Sequence, residues 1–175
     1  MSTAGVQVAG RQRSARPGLG WAIVAFGLGL AHALVSLSWG LGSTGLLDTV
    51  GGALAEEGPA GNSMLLAVVW ASVLLKLVAA VLGLTVTLPR IPPSRLVVIA
   101  AWAAAVVLTA YGGVLTLGGL LVQADIIHAS ADADRRALAW HTYLWDPWFL
   151  LWGLSLMAAL WRSRSRRQAE LVRET

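Results

Sequence analysis

Apolar residues dominate four runs of the chain, and each run is about as long as a bilayer core is thick. The runs cover residues 19–41, 64–88, 96–124 and 138–161. A helix needs about 20 apolar residues to cross the hydrocarbon core, where the backbone finds no hydrogen-bond partner other than itself. The alternating pattern that a membrane β-barrel requires is not present in runs such as 97–107. The sequence therefore predicts an all-α fold, an integral membrane four-helix bundle.

The overall composition supports a membrane protein. Charged residues make up 13% of the chain, about half of what soluble domains carry. The chain has no cysteine, which excludes disulfides, thiolate metal sites and thiol redox chemistry. The basic residues flank the apolar runs, so the lipid bilayer is the predicted partner and nucleic acid is not.

The polar segments differ in charge. Ten of the thirteen basic residues lie in residues 1–17, in the proline-rich loop 89–95 and in residues 162–175. The two remaining connections carry Asp48, Glu56, Glu57, Asp125, Asp132 and Asp134. Because basic loops stay in the cytoplasm, we expect an inner (plasma) membrane protein with both termini inside. Residues 1–17 are predicted to be a disordered cytoplasmic tail, residues 18–161 the transmembrane domain, and residues 162–175 a basic cytoplasmic tail.

The first run also imitates a signal peptide. Ala31-His32-Ala33 resembles a cleavage site after a basic start and an apolar core. The apolar run continues past it to Trp39, which favours a retained helix over cleavage of residues 1–33.

Four polar residues fall within or beside the apolar runs: His32, Lys76, His141 and Asp146. A charge at the bilayer centre costs roughly 2.5–3.5 kcal/mol on insertion scales. Lys76 lies near mid-membrane and Asp146 lies above it, so a buried Lys76–Asp146 pair is one hypothesis. The other makes Asp146 the N-cap of the fourth helix, with Pro147 at the first helical position.

Pro147 leaves two interpretations of the fourth run. Either the helix starts near Leu138 and is kinked at Pro147, or the segment before Pro147 is a re-entrant outer turn. The apolar residues of 137–145 recur at helical spacing, which favours the kinked helix.

Tryptophans cluster near the ends of the runs, where amphipathic indoles prefer the membrane interface. We expect them to be interface anchors: Trp21, Trp39, Trp145, Trp148 and Trp161.

No catalytic or nucleotide-binding motif is recognisable in the sequence, so we assign no catalytic residue and no metal site and expect a non-enzymatic protein. No cofactor is predicted. The alternative is a haem held by His32 and His141 between facing helices. Small residues allow close helix packing, and the third run contains Gly112, Gly113, Gly118 and Gly119. They predict tight packing, or else a hinge.

Two motifs resemble a known family. A histidine followed by tryptophan-glycine occurs in the first run, and "WDPWFLLWG" opens the fourth. Over roughly residues 19–161 the chain is similar to small four-span bacterial membrane proteins catalogued as a domain of unknown function, number 3995. The resemblance implies the four-helix topology and no particular activity. The matching residues are His32, Trp39, Gly40, Trp145, Asp146, Trp148, Phe149, Trp152 and Gly153.

Two function classes follow. The first is a scaffold or accessory subunit that binds a membrane-protein partner or a second copy through its glycine face and basic tail. The second is an outward-facing polar cavity for a small ligand, haem or a proton pathway, lined by the four polar residues. Only the second predicts a cavity that joins them.

Overall fold

The computed structural model describes residues 18–57, 62–88, 93–130 and 133–174, with side chains described up to Ser165. Within these ranges the regular structure is all helical. The helices are α1 (Leu19–Gly40), α2 (Gly52–Glu57), α3 (Ser63–Thr87), α4 (Arg95–Gln123), α5 (Arg135–Trp140) and α6 (Asp146–Glu174). A 3₁₀ turn lies at Leu47–Thr49 and a π-helical turn at His141–Trp145. The tail predicted at residues 1–17 lies outside the described residues.

Short polar side chains start three of the helices. The Asn62 side chain accepts hydrogen bonds from two backbone amides at the start of α3, and Ser94 accepts one at the start of α4. The Asp134 carboxylate does the same for α5, accepting from the amides of the second and third helical residues. These caps satisfy amides that a helix leaves without internal partners.

Three helices are long and apolar enough to cross a membrane, namely α1, α3 and α4. They coincide within a residue or two with the first three predicted spans. The fourth span stays a prediction, because its apolar residues are distributed over α5, the π-helical turn and the first half of α6.

The fourth run forms one continuous helical path. It begins at Arg135, three residues before the predicted start near Leu138, because Asp134 supplies the cap. No re-entrant turn forms. A proline ring inside an α-helix clashes with the carbonyl four residues earlier. The π-helical turn directly before Asp146 and Pro147 is wider than an α-helical turn, so it gives the Pro147 ring more room. The helix also continues beyond Trp161 to Glu174.

The four long helices pack as two close pairs. α1 packs along α3, and α4 packs along α6. Contacts between α1 and α6 connect the two pairs. A core of small residues surrounds Trp152, Leu156 and Leu160 on α6. Gly112 lets α4 lie against the backbone of Leu150, because a Cβ there would collide with the Leu150 amide. The structure therefore places this glycine at a tight helix–helix contact, as predicted.

Two cation–π contacts join arginines of α6 to tryptophans of α1 and α4. The guanidinium of Arg162 lies 5.9 Å from the ring centroid of Trp21, and that of Arg164 lies 5.7 Å from Trp102. Arginine over a tryptophan face is favourable. These contacts hold the first part of the predicted basic tail against α1 and α4.

Candidate functional site

The connection between α1 and α3 folds back onto the fourth helical path. An exposed ion pair joins Arg136 to Asp48 at 2.8 Å. Deeper in, the Trp145 indole N–H donates to the Thr49 hydroxyl over 3.2 Å, with both residues buried. The exposed ion pair and the buried hydrogen bond therefore both hold the α1–α3 connection over one end of the helices.

His141 provides a third link. Its Nε2 lies 3.1 Å from the Val50 carbonyl oxygen and its Nδ1 lies 3.2 Å from Asp146 Oδ1. A carbonyl oxygen only accepts, so Nε2 donates to Val50. The contact with the buried Asp146 carboxyl then requires one further proton, on Nδ1 or on the carboxyl group. The π-helical turn brings these two side chains together across five residues.

An inner cavity of about 240 Å³ lies beneath this connection. It is bounded by α1, α3, α4, the π-helical turn and α6, and roofed by Val50 and Leu54. Three of the four polar residues singled out in the sequence line it: His32, Lys76 and His141. The fourth, Asp146, is not in the lining but contacts His141, which is.

His32 is the most unusual side chain of the inner cavity. It is 3% exposed, and neither ring nitrogen has a hydrogen-bond partner among the described residues. Aromatic rings of Phe149, Trp148 and Trp145 surround it, at centroid distances of 4.5, 5.4 and 5.7 Å. Buried polar atoms are almost always paired, so a histidine without partners indicates a place where a ligand or water belongs.

Lys76 contacts α1 rather than α6. Its Nζ donates to the Ser36 hydroxyl at 2.6 Å, and the structure shows no carboxylate within 4.0 Å of it among the described residues. The hypothesis of a direct Lys76–Asp146 pair is therefore wrong. α3 packs mainly on α1, so the lysine reaches Ser36 and leaves Asp146 to His141.

The N-cap hypothesis for Asp146 also differs from the structure. Asp146 has helical backbone angles, φ −76° and ψ −42°, and follows the π-helical turn without a break. The cap of this helical path is Asp134, twelve residues earlier.

An outer cavity of about 410 Å³ adjoins the inner one. The two share Trp39, Leu54, Leu65 and Val69 in their walls. The outer cavity adds polar groups near the chain connections: Ser43, Thr44 and Asn62. The outer cavity is thus mostly apolar, with a few polar groups, and it shares a wall with the inner cavity.

The predicted interface anchors divide into two groups. Trp21 and Trp161 are 42% and 67% exposed, in keeping with a lipid-facing position. Trp145 is 3% exposed, because its indole packs inside and bonds Thr49. Trp148 and Trp39 are partly buried, and their indole N–H groups donate to the carbonyls of Leu28 and Gly45. The inward-facing tryptophans build the walls of the site.

The sequence nominated neither Ser36 nor the connection residues Thr49 and Val50. Ser36 stands four residues after His32, so both lie on one helical face, which was a usable signal. Nothing in the sequence marks Val50, because its contribution is a backbone carbonyl. In the parts that the structure describes, no three metal-binding side chains of the His, Asp or Glu type converge.

The described residues define a class: an all-helical protein with three helices apolar enough to span a membrane and an open cavity lined by polar residues of its helices. A family model described as "Protein of unknown function (DUF3995)" matches residues 28–156. The chain belongs to that family. The match includes His32, Lys76, His141 and Asp146. No curated protein matches the chain, and no solved structure does.

Proposed function

We propose that the chain is a multi-pass protein of the inner (plasma) membrane whose inner cavity binds a small ligand entering from outside the cell. The loop charges support four spans with both termini in the cytoplasm. The connection that covers the inner cavity, between α1 and α3, is an acidic one, so the cavity lies toward the outer side in this arrangement.

The observation that carries the proposal is His32. A buried side chain that leaves both nitrogens unpaired costs about 1–3 kcal/mol relative to a paired one. An apolar residue in the same place avoids that cost. His32 lines the inner cavity, so we propose that a bound ligand becomes its partner once the surrounding aromatic side chains shift enough to uncover a ring nitrogen.

The alternative, a scaffold or accessory subunit, rested on the glycine face of α4 and on the basic tail. Two of its glycines pack inside the chain, Gly112 on Leu150 and Gly119 on Thr142. Gly118 has no neighbour within 4 Å, which leaves a small free patch for a partner or a second copy. The geometry therefore favours ligand binding, and co-purification of a stoichiometric membrane partner would favour the scaffold.

Haem is the other candidate occupant. The inner cavity of about 240 Å³ is smaller than the roughly 300–1,000 Å³ of sites for drug-sized ligands, and haem is larger than most such ligands. We therefore propose a site without haem or metal. A Soret band in the absorption spectrum of the purified protein would contradict this.

Cysteine accessibility tests the proposal directly, because the chain has no cysteine of its own. Ser72 lines the inner cavity, whereas Ser155 is buried at 5% exposure away from it. A charged, membrane-impermeant thiol reagent added outside intact cells should label Ser72→Cys and leave the matched control Ser155→Cys unlabelled.

Two other results would contradict a water-accessible cavity on the outer side. Labelling of Ser72→Cys only after the membrane is permeabilised would place the cavity on the inner side. Equal resistance of both variants, in permeabilised cells as well, would mean that water does not reach the cavity.

A further inference from the structure

We propose that the ligand of the inner cavity is a small water-borne carboxylate with a short hydrocarbon body, an inference that rests on the proposed function. Its carboxylate lies against Lys76 and Ser36, and its hydrocarbon body lies against the apolar wall.

The hydrogen-bond donors of Lys76 and Ser36 meet at the polar end of the cavity. Among the described residues no carboxylate lies within 4.0 Å of Lys76. A lysine ammonium has three N–H donors, and Ser36 accepts one of them. The Ser36 hydroxyl hydrogen has no acceptor among the described residues. A carboxylate accepts several such bonds, and its charge offsets the cost of a cation within the membrane.

The rest of the wall selects an apolar body. Leu65, Val68, Val69 and Phe149 also line the cavity. Its volume of about 240 Å³ lies below the range of drug-sized sites, roughly 300–1,000 Å³. These limits describe a short-chain monocarboxylate rather than a sugar, a nucleotide or a long-chain lipid.

The outer cavity indicates that the ligand arrives from water. Its lining includes the polar residues Ser43, Thr44 and Asn62, and it shares Trp39 and Leu65 with the inner cavity. A phospholipid headgroup offers similar anionic chemistry, but a lipid with two acyl chains exceeds the inner cavity.

Matched probes of one chain length test the ligand class. Equilibrium dialysis of the full-length protein in uncharged detergent would compare radiolabelled hexanoate with hexanol, which has the same chain length and no charge. We expect saturable hexanoate binding, with hexanol binding weaker by roughly tenfold to a hundredfold, the worth of one or two charge-assisted hydrogen bonds. This comparison needs no variant.

Two variants locate the anion. Lys76→Met should weaken hexanoate binding to the level of hexanol and leave hexanol binding unchanged. Arg95→Met removes the same charge from the exposed start of α4 and should change neither. Size-exclusion profiles and circular dichroism report whether each variant is folded. If Lys76→Met does not fold, Ser36→Ala removes the lysine's hydrogen-bond partner and should weaken hexanoate binding alone.

Three results would overturn the inference. Equal affinity for hexanoate and hexanol excludes an anion site. Unchanged hexanoate binding in a folded Lys76→Met variant excludes Lys76. A co-purified anionic phospholipid that hexanoate displaces excludes the water-borne source. In each case, outside labelling of Ser72→Cys would show that the proposed cavity stands and only the ligand class is wrong.

Discussion

At the scale of single residues, His32 and His141 differ in hydrogen bonding. His141 bonds through both nitrogens, to Val50 and Asp146, whereas His32 bonds through neither. The first histidine fixes the connection above the cavity, and the second is held in place only by surrounding aromatic rings. A side chain that costs stability is expected where function requires it.

Replacing each histidine by leucine should therefore have opposite effects. We expect His32→Leu to be as stable as the original chain or more stable, because it removes two unpaired buried nitrogens. We expect His141→Leu to lose about 1–3 kcal/mol, the cost of leaving buried partners unsatisfied. Thermal unfolding in detergent, followed by circular dichroism, measures both. A His32→Leu variant that melts far below the His141→Leu variant would refute this account.

Lys76 and Asp146 should behave as independent residues, because each has its own partner. We expect the losses of Lys76→Met and Asp146→Leu to add within about 0.5 kcal/mol in the double variant, as unconnected sites do.

The control for this double-variant test combines His141→Leu with Asp146→Leu, because the native His141 and Asp146 side chains are 3.2 Å apart. That pair should deviate from additivity, since either change alone already breaks the contact. Strong coupling between Lys76 and Asp146 would restore the ion-pair hypothesis.

At the scale of helices, small residues set how closely the pairs approach. α4 meets α6 through Gly112, and α6 meets α4 through Gly153, where a Cβ would lie 2.5 Å from the Thr109 amide nitrogen. Because the contacts are backbone to backbone, neither side can yield by rotating a side chain. The close α4–α6 pair in turn positions the π-helical turn and its His141 and Asp146.

Two alanine substitutions in one helix test this packing. Gly112→Ala should lower the melting temperature strongly, because its methyl group would collide with the Leu150 amide. Gly118→Ala, with open space around it, should be neutral or slightly stabilising. If Gly118→Ala abolishes a dimer or the recovery of a partner protein while stability is kept, the scaffold alternative gains instead.

The sequence predicted the helices well and the contacts less well. Apolar length fixed α1, α3 and α4, because membrane crossing leaves little choice of structure. The need for a partner at Lys76 was also predictable, but its identity was not, since that depends on which helices are neighbours. The bond from His141 to Val50 was beyond prediction, because a backbone carbonyl leaves no trace in the residue pattern.

At the scale of the whole molecule, the direction in which the helices cross the membrane decides which side the cavities face. Arg162 and Arg164 lie at one end, stacked on tryptophans. The acidic connections and both cavities lie toward the other end. From this asymmetry of charge we propose that the cavities face the outer side.

Topology reporters test that central claim most directly. A phosphatase active only outside the cytoplasm, and a fluorescent protein active only inside, can be fused in turn after Glu57, Arg90, Asp132 and the C-terminus. We expect phosphatase activity at Glu57 and Asp132, and fluorescence at Arg90 and the C-terminus. Fluorescence at Glu57 would reverse the arrangement, turn the cavities toward the cytoplasm and contradict the account.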